Sequence, residues 1–127
     1  MKIMVVDDEP DIQLLFEQRF RKEIREGLFQ FHFAFDGQAA LAFLEDTQNT
    51  DLVLILSDIN MPGMSGLELL REIRVKRPGL QVFMITAYTD AEKEAAAAAY
   101  GANAFISKPI DFTELKQRML NACGTAE

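Results

Sequence analysis

The chain has 127 residues, 49% of them hydrophobic, and a formal net charge of −7. That is the size of one domain, with enough apolar material for a core, so a disordered chain is excluded. With 20 acidic against 13 basic side chains, no basic stripe is available for nucleic acid or for an anionic membrane surface.

The single cysteine, Cys123, excludes an internal disulfide and fits a reducing compartment. No apolar run is long enough to span a bilayer. The opening residues 1–6 turn acidic at Asp7, unlike a signal peptide. A soluble cytoplasmic protein is expected.

Ile3 to Val6 is a short apolar run and reads as the first strand. Asp7-Asp8-Glu9-Pro10 follows, with Pro10 suited to a first helical turn and Asp8 to its N-cap. Ile12, Leu15, Phe16, Phe20 and Ile24 then recur at helical spacing and predict one amphipathic helix, closed near Gly27. From Phe29 to Phe35 the chain alternates strictly, with four phenylalanines on one side and Gln30, His32 and Ala34 on the other. This pattern predicts a half-exposed edge strand carrying a solvent-exposed His32. Asp36-Gly37 is a turn signal, and Ala39, Ala40, Leu41, Phe43 and Leu44 make a short second helix.

Leu52 to Leu56 is unbroken aliphatic sequence, as expected of a strand covered on both faces in the middle of a parallel sheet. It ends at Asp58, before the chain breakers Pro62 and Gly63. Ser65 and Glu68 form a capping-box pattern that starts a third helix, with Leu67, Leu70 and Ile73 inward and Pro78-Gly79 at its end. Val82 to Ile85 is a fourth strand finishing on Thr86. Thr89 and Glu92 open a fourth helix that contains the alanine run 95–99 and stops at Gly101. Ala104 to Ile106 is a fifth strand, followed by Ser107-Lys108-Pro109. Asp111 caps a fifth helix with Phe112, Leu115, Met119 and Cys123 inward.

Five βα repeats imply a doubly wound α/β fold with a parallel sheet and right-handed crossovers. The edge character of the second strand favours the order 2-1-3-4-5. Residues 1–123 form one domain, and 124–127 are a tail or the start of a linker.

In such sheets, chemistry gathers at the carboxyl ends of the strands. Asp7 and Asp8, Asp58, Thr86 and Lys108 all fall there. Three close carboxylates raise one another's pKa unless a cation compensates. Mg²⁺ takes one or two carboxylates and accepts a phosphoryl oxygen. Asp58 is then a candidate nucleophile on phosphorus, with Mg²⁺, the Lys108 ammonium and the Thr86 hydroxyl balancing charge on the transferred group.

Asp7-Asp8, Asp58-Ile59-Asn60-Met61-Pro62-Gly63, Thr86-Ala87 and Lys108-Pro109 together resemble the motifs of the response regulator receiver domain of two-component signalling, chemotaxis regulators among them. The resemblance runs from about Lys2 to Cys123. It implies a flavodoxin-like fold, Asp58 as phosphoacceptor, and Mg²⁺ held by Asp7, Asp8, Asp58 and the backbone carbonyl of Asn60. It further implies phosphoryl contact by Lys108, a switch made of Thr86 and Phe105, and a cis Lys108-Pro109 bond. Asn60 and Tyr88 become the positions that tune phosphoryl lifetime, with a bulky Tyr88 shielding the group from water. The implied partners are a sensor histidine kinase or histidine phosphotransfer domain and a downstream effector that reads the face of the fourth helix, fifth strand and fifth helix. Pairing of two copies through that face is also implied. Gln13, Glu17, Gln18 and Arg21 would meet the kinase.

Such a protein would catalyse its own phosphoryl transfer and slow dephosphorylation, without being an enzyme on other substrates. It stands alone or heads a longer protein. The main alternative is a Mg²⁺-dependent phosphohydrolase with an aspartyl nucleophile. Those enzymes carry Asp-x-Asp after the first strand, where this chain has Asp7-Asp8-Glu9, and need a cap for which there is no room. A flavin carrier on the same fold would have its phosphate repelled by Asp7 and Asp8. A degenerate receiver used only for pairing does not fit so complete a site.

Overall fold

The computed structural model describes residues 1–46, 51–87 and 91–123. Its elements run β1 (Lys2–Val6), α1 (Asp11–Arg19), α2 (Arg21–Arg25), β2 (Gln30–Ala34), α3 (Gly37–Glu45), β3 (Leu52–Asp58), α4 (Gly66–Lys76), β4 (Gln81–Thr86), α5 (Ala91–Ala99), β5 (Ala104–Ser107) and α6 (Phe112–Ala122). The strands form one parallel sheet in the order β2-β1-β3-β4-β5.

Two apolar layers cover the sheet. Ile3, Val5, Leu54, Leu56, Phe83 and Ile85 pack with Phe16 of α1, with Phe20 just beyond its end, and with Leu115 and Met119 of α6. Met4, Val6, Ile55, Val82 and Met84 pack with Ala40, Leu69, Ile73 and Ala97 from α3, α4 and α5. Alternation along each buried strand feeds both layers, which is why β3 and β4 read as continuous apolar runs. Val53 is the exception, 38% exposed. The β1–β3 register slips between Lys2 and Ile3, so Val53 is an extra residue in a bulge.

The predicted first helix is bent into α1 and α2. Phe20 leaves helical geometry at φ −111°, ψ 23°. Its ring is held by Phe29, Phe31 and Phe112 at centroid distances of 5.4, 5.6 and 5.6 Å. The bend turns Ile24 outward, contrary to the expected apolar face. Gly27, at φ +79°, closes α2 as expected, with Leu28 N–H donating to the Glu23 carbonyl at 2.9 Å. Asp8 is not the cap of α1: the helix starts after Pro10 with no side-chain cap bond.

β2 is the edge strand and is half-exposed as expected, with Gln30 open and Phe31, His32 and Phe33 only partly buried. Phe29, Phe31 and Phe33 join the α1–α6 layer. On the other face His32 stacks on Phe43 of α3, with centroids 3.8 Å apart, instead of facing solvent. Phe35, beyond the strand end, is exposed rather than inward.

The other caps follow their local chemistry. Asp36 accepts from Ala39 N–H, so the turn signal at Asp36-Gly37 doubles as the N-cap of α3. Ser65 accepts from Glu68 N–H, and Asp111 from Thr113 and Glu114 N–H. Thr89, expected to open α5, lies outside the described residues, as do Tyr88 and the tail 124–127. Among the described residues no helix is long and apolar enough to cross a membrane.

Candidate functional site at the carboxyl edge of the sheet

Register brings the site together. Val6 pairs with Ser57, so Asp7 stands beside Asp58. Asp58 pairs with Ile85, one residue before Thr86. Thr86 pairs with Ser107, one residue before Lys108. The sequence separations are large, but each residue ends a strand and all the strands point the same way.

Asp7, Asp8 and Asp58 each offer a carboxylate oxygen, all within 4.8 Å of one another. Asp7 and Asp58 are 2% and 5% exposed, and Asp8 is the more open. Lys108 Nζ lies 3.0 Å from Asp58 Oδ2 and 3.8 Å from Asp7 Oδ2. The Asn60 N–H donates to Asp58 Oδ1 at 3.2 Å, and Glu9 N–H to Asp7 Oδ1 at 2.9 Å. The Lys108 N–H donates to the Thr86 carbonyl at 2.8 Å, and Lys108-Pro109 is cis. Thr86 is buried at its strand end. Phe105 is half-buried against the α3–α5 layer.

Electrostatics follow from crowding. Burial raises the Asp7 carboxyl above its ordinary value. The Glu9 amide and Lys108 act against that rise, and the Asp58 charge adds to it. Burial disfavours charge on Lys108. The hydrogen bond to Asp58 and the charges of Asp58, Asp7 and Glu9 outweigh that effect, so its ammonium is held above the usual lysine range.

Three hard carboxylate donors on one side and a lysine on the other match the needs of a hard divalent cation that also meets phosphoryl oxygens. The described residues therefore fit Mg²⁺ by donor chemistry. Sequence reasoning did not find Lys93, whose ammonium donates to Asn60 Oδ1 across 33 residues. Nor did it find Gly66, which lets α4 approach the backbone of Asp58. Neither residue carries a local pattern; both matter only through neighbours supplied by the fold.

The family model of the response regulator receiver domain matches residues 3–120. Chemotaxis protein CheY-3 of Vibrio cholerae is 35% identical over 121 residues, covering 94% of this chain and 88% of that protein. Sporulation initiation phosphotransferase F of Bacillus subtilis is 32% identical over 115 residues, covering 91% and 87%. The crystal structure of a CheY-like response regulator receiver domain protein from Methanospirillum hungatei superposes with a TM-score of 0.85 at 29% identity, covering 97% and 93% of the two chains. The chain belongs to the response regulator receiver domain family. It is a phosphorylation-activated signalling switch of the two-component or phosphorelay class. Against three other curated relatives it spans only 23 to 49% of their length.

Proposed function

We propose that Asp58 accepts the phosphoryl group, and that Asp7, Asp8, Asp58 and the backbone carbonyl of Asn60 hold Mg²⁺. The observation that carries this reading is the convergence of three carboxylates within 4.8 Å, with Lys108 at 3.0 Å from Asp58. An Asp58 carboxylate oxygen forms the new P–O bond as the donor's bond to phosphorus breaks. The cation, when bound, neutralises charge on the phosphoryl oxygens. Lys108, already oriented by Asp58 and Asp7, meets a further oxygen. Thr86 supplies a hydroxyl to another, and Asn60 and Tyr88 tune the lifetime of the phosphoryl group.

The output is a shift of Thr86 and Phe105 between two packings, read on the face of α5, β5 and α6. A cavity of about 220 Å³ on that face, flanked by Phe105, Pro109, Leu115 and Arg118, supports room for such repacking. A sensor histidine kinase or histidine phosphotransfer domain supplies the group, and a downstream effector reads the face. The chain catalyses its own phosphorylation and slow dephosphorylation, in the cytoplasm. Residues 1–123 are the receiver unit.

Incubation with acetyl phosphate and Mg²⁺, followed by intact mass, tests the reading. A Mg²⁺-dependent phosphoryl adduct absent from Asp58→Asn is expected. An adduct that persists in Asp58→Asn overturns it.

A further inference from the structure

Lys93 stands in the first turn of α5, the positive end of the helix dipole, where acidic Glu92 and Glu94 suit the local field and a lysine does not. Its ammonium reaches out of the helix to donate to Asn60 Oδ1, in the loop between β3 and α4. The backbone of that same Asn60 donates to Asp58 Oδ1 at 3.2 Å. Lys108 holds the other carboxylate oxygen, Oδ2, at 3.0 Å. Thus Asp58 is bracketed by Lys108 on one side and by an Asn60–Lys93 pair on the other. Lys93 also lines a cavity of about 420 Å³ with Met61, Pro62 and Leu67, beside the Asp58 loop.

We propose that Lys93 is a positioning residue that ties down the Asn60 carboxamide and so lengthens the life of the phosphoryl group on Asp58. The inference rests on Asp58 being the phosphoacceptor. Hydrolysis adds a water oxygen to phosphorus and breaks the bond from phosphorus to Asp58. The aspartate carboxylate is regenerated and inorganic phosphate leaves with the water's protons. A neighbouring acceptor that takes a hydrogen bond from that water orients it for attack. The Asn60 Oδ1 is an acceptor of this kind, two residues beyond Asp58. With the Lys93 ammonium on it, this oxygen is turned to α5 and engaged there. Without Lys93 it is released to the water.

The test follows decay of the phosphoryl adduct by intact mass after acetyl phosphate is removed, in wild type, Lys93→Ala, Lys93→Arg, Asn60→Ala and the Lys93→Ala/Asn60→Ala pair. Decay about fivefold faster in Lys93→Ala is expected, the kinetic worth of one hydrogen bond. Lys93→Arg retains the donor and should decay as wild type does. In the Asn60→Ala background, removing Lys93 should change nothing, because the acceptor is already gone. Unchanged decay in Lys93→Ala overturns the inference, as does equal acceleration with and without Asn60, which would mark a pure charge effect. A wild-type protein that takes no adduct overturns the phosphoacceptor reading and this inference with it. An adduct whose lifetime ignores Lys93 removes only the inference.

Discussion

Gly66 and the Asp58 carbonyl are in such close approach that a β-carbon on Gly66 would stand 2.1 Å from that oxygen and 2.7 Å from the Ile59 Cα. The first residue of α4 is thereby packed onto the backbone that carries Asp58. The Gly66 N–H also donates to the Ile59 carbonyl at 2.8 Å. Both contacts are with backbone, so neither can swing aside.

Gly66→Ala should therefore cost about 2 kcal/mol or more through overpacking and displace the Asp58 loop. Urea denaturation checks the stability loss, and acetyl phosphate labelling checks the site. Gly79→Ala, where a β-carbon meets nothing within 4 Å, is the matched control and should behave as wild type.

Arg74 of α4 clamps the opposite end of the sheet. Its guanidinium donates to the Leu80 carbonyl at 2.5 Å, to the Gly101 carbonyl at 2.6 and 3.0 Å, and to Asn103 Oδ1 at 2.7 Å. Asn103 Oδ1 in turn accepts from Val82 N–H at 2.8 Å. Arg74→Ala should lower stability by about 2 kcal/mol. Arg74→Lys should recover little of it, because an ammonium cannot span these acceptors as a planar fork does. Thermal melting of both variants checks this.

Lys116 Nζ lies 2.8 Å from Glu23 Oε2 and ties α6 to α2. The hydrogen bond to Lys116 holds the Glu23 carboxyl below its usual value, against a smaller opposing effect of burial. A carboxyl depressed in the folded state stabilises above its ordinary pKa, and that contribution is lost as pH falls through the folded value. Glu23→Gln should thus be less stable than wild type at neutral pH, by on the order of 0.5 kcal/mol for a partly solvated pair. The gap should close in acid. Urea midpoints measured from pH 7 down to about pH 3 decide the sign.

Asp7 works in the opposite direction. Burial first, with the Asp58 charge adding, raises its carboxyl in the folded protein. A raised acid favours the fold below its unfolded pKa, and that support is lost as pH rises through the folded value. Without divalent cations, Asp7→Asn should therefore be the more stable protein at pH 7, and the advantage should shrink toward about pH 4. Added Mg²⁺ should stabilise wild type and leave Asp7→Asn nearly unmoved. Denaturation midpoints with and without Mg²⁺ test both statements.

Much of the fold was legible because the signals were local. The apolar runs before Asp7, Asp58, Thr86 and Lys108 marked four strands by composition alone. Ser65 and Asp111 announced their helices, since a cap bonds amides only two or three residues away. The strict alternation of β2 told its edge position, and with it the order that aligns the strand ends.

What misled was the assumption that an edge strand and an amphipathic helix answer only to their own patterns. His32 is stacked because α3 brings Phe43 over it, and Phe20 bends its helix because three rings from elsewhere hold it.

The sequence by itself determined which residues end the strands, hence which chemistry could meet: three carboxylates, a threonine and a lysine. Only the tertiary structure decided their pairings. Lys108 takes the Oδ2 of Asp58, 50 residues away, Lys93 takes Asn60, and Arg74 takes Gly101. The reason is physical. A pattern of period two or near four reports what a segment does with its own backbone and with the core, whereas a side-chain partner tens of residues distant is set by sheet register and helix docking, which no local pattern encodes.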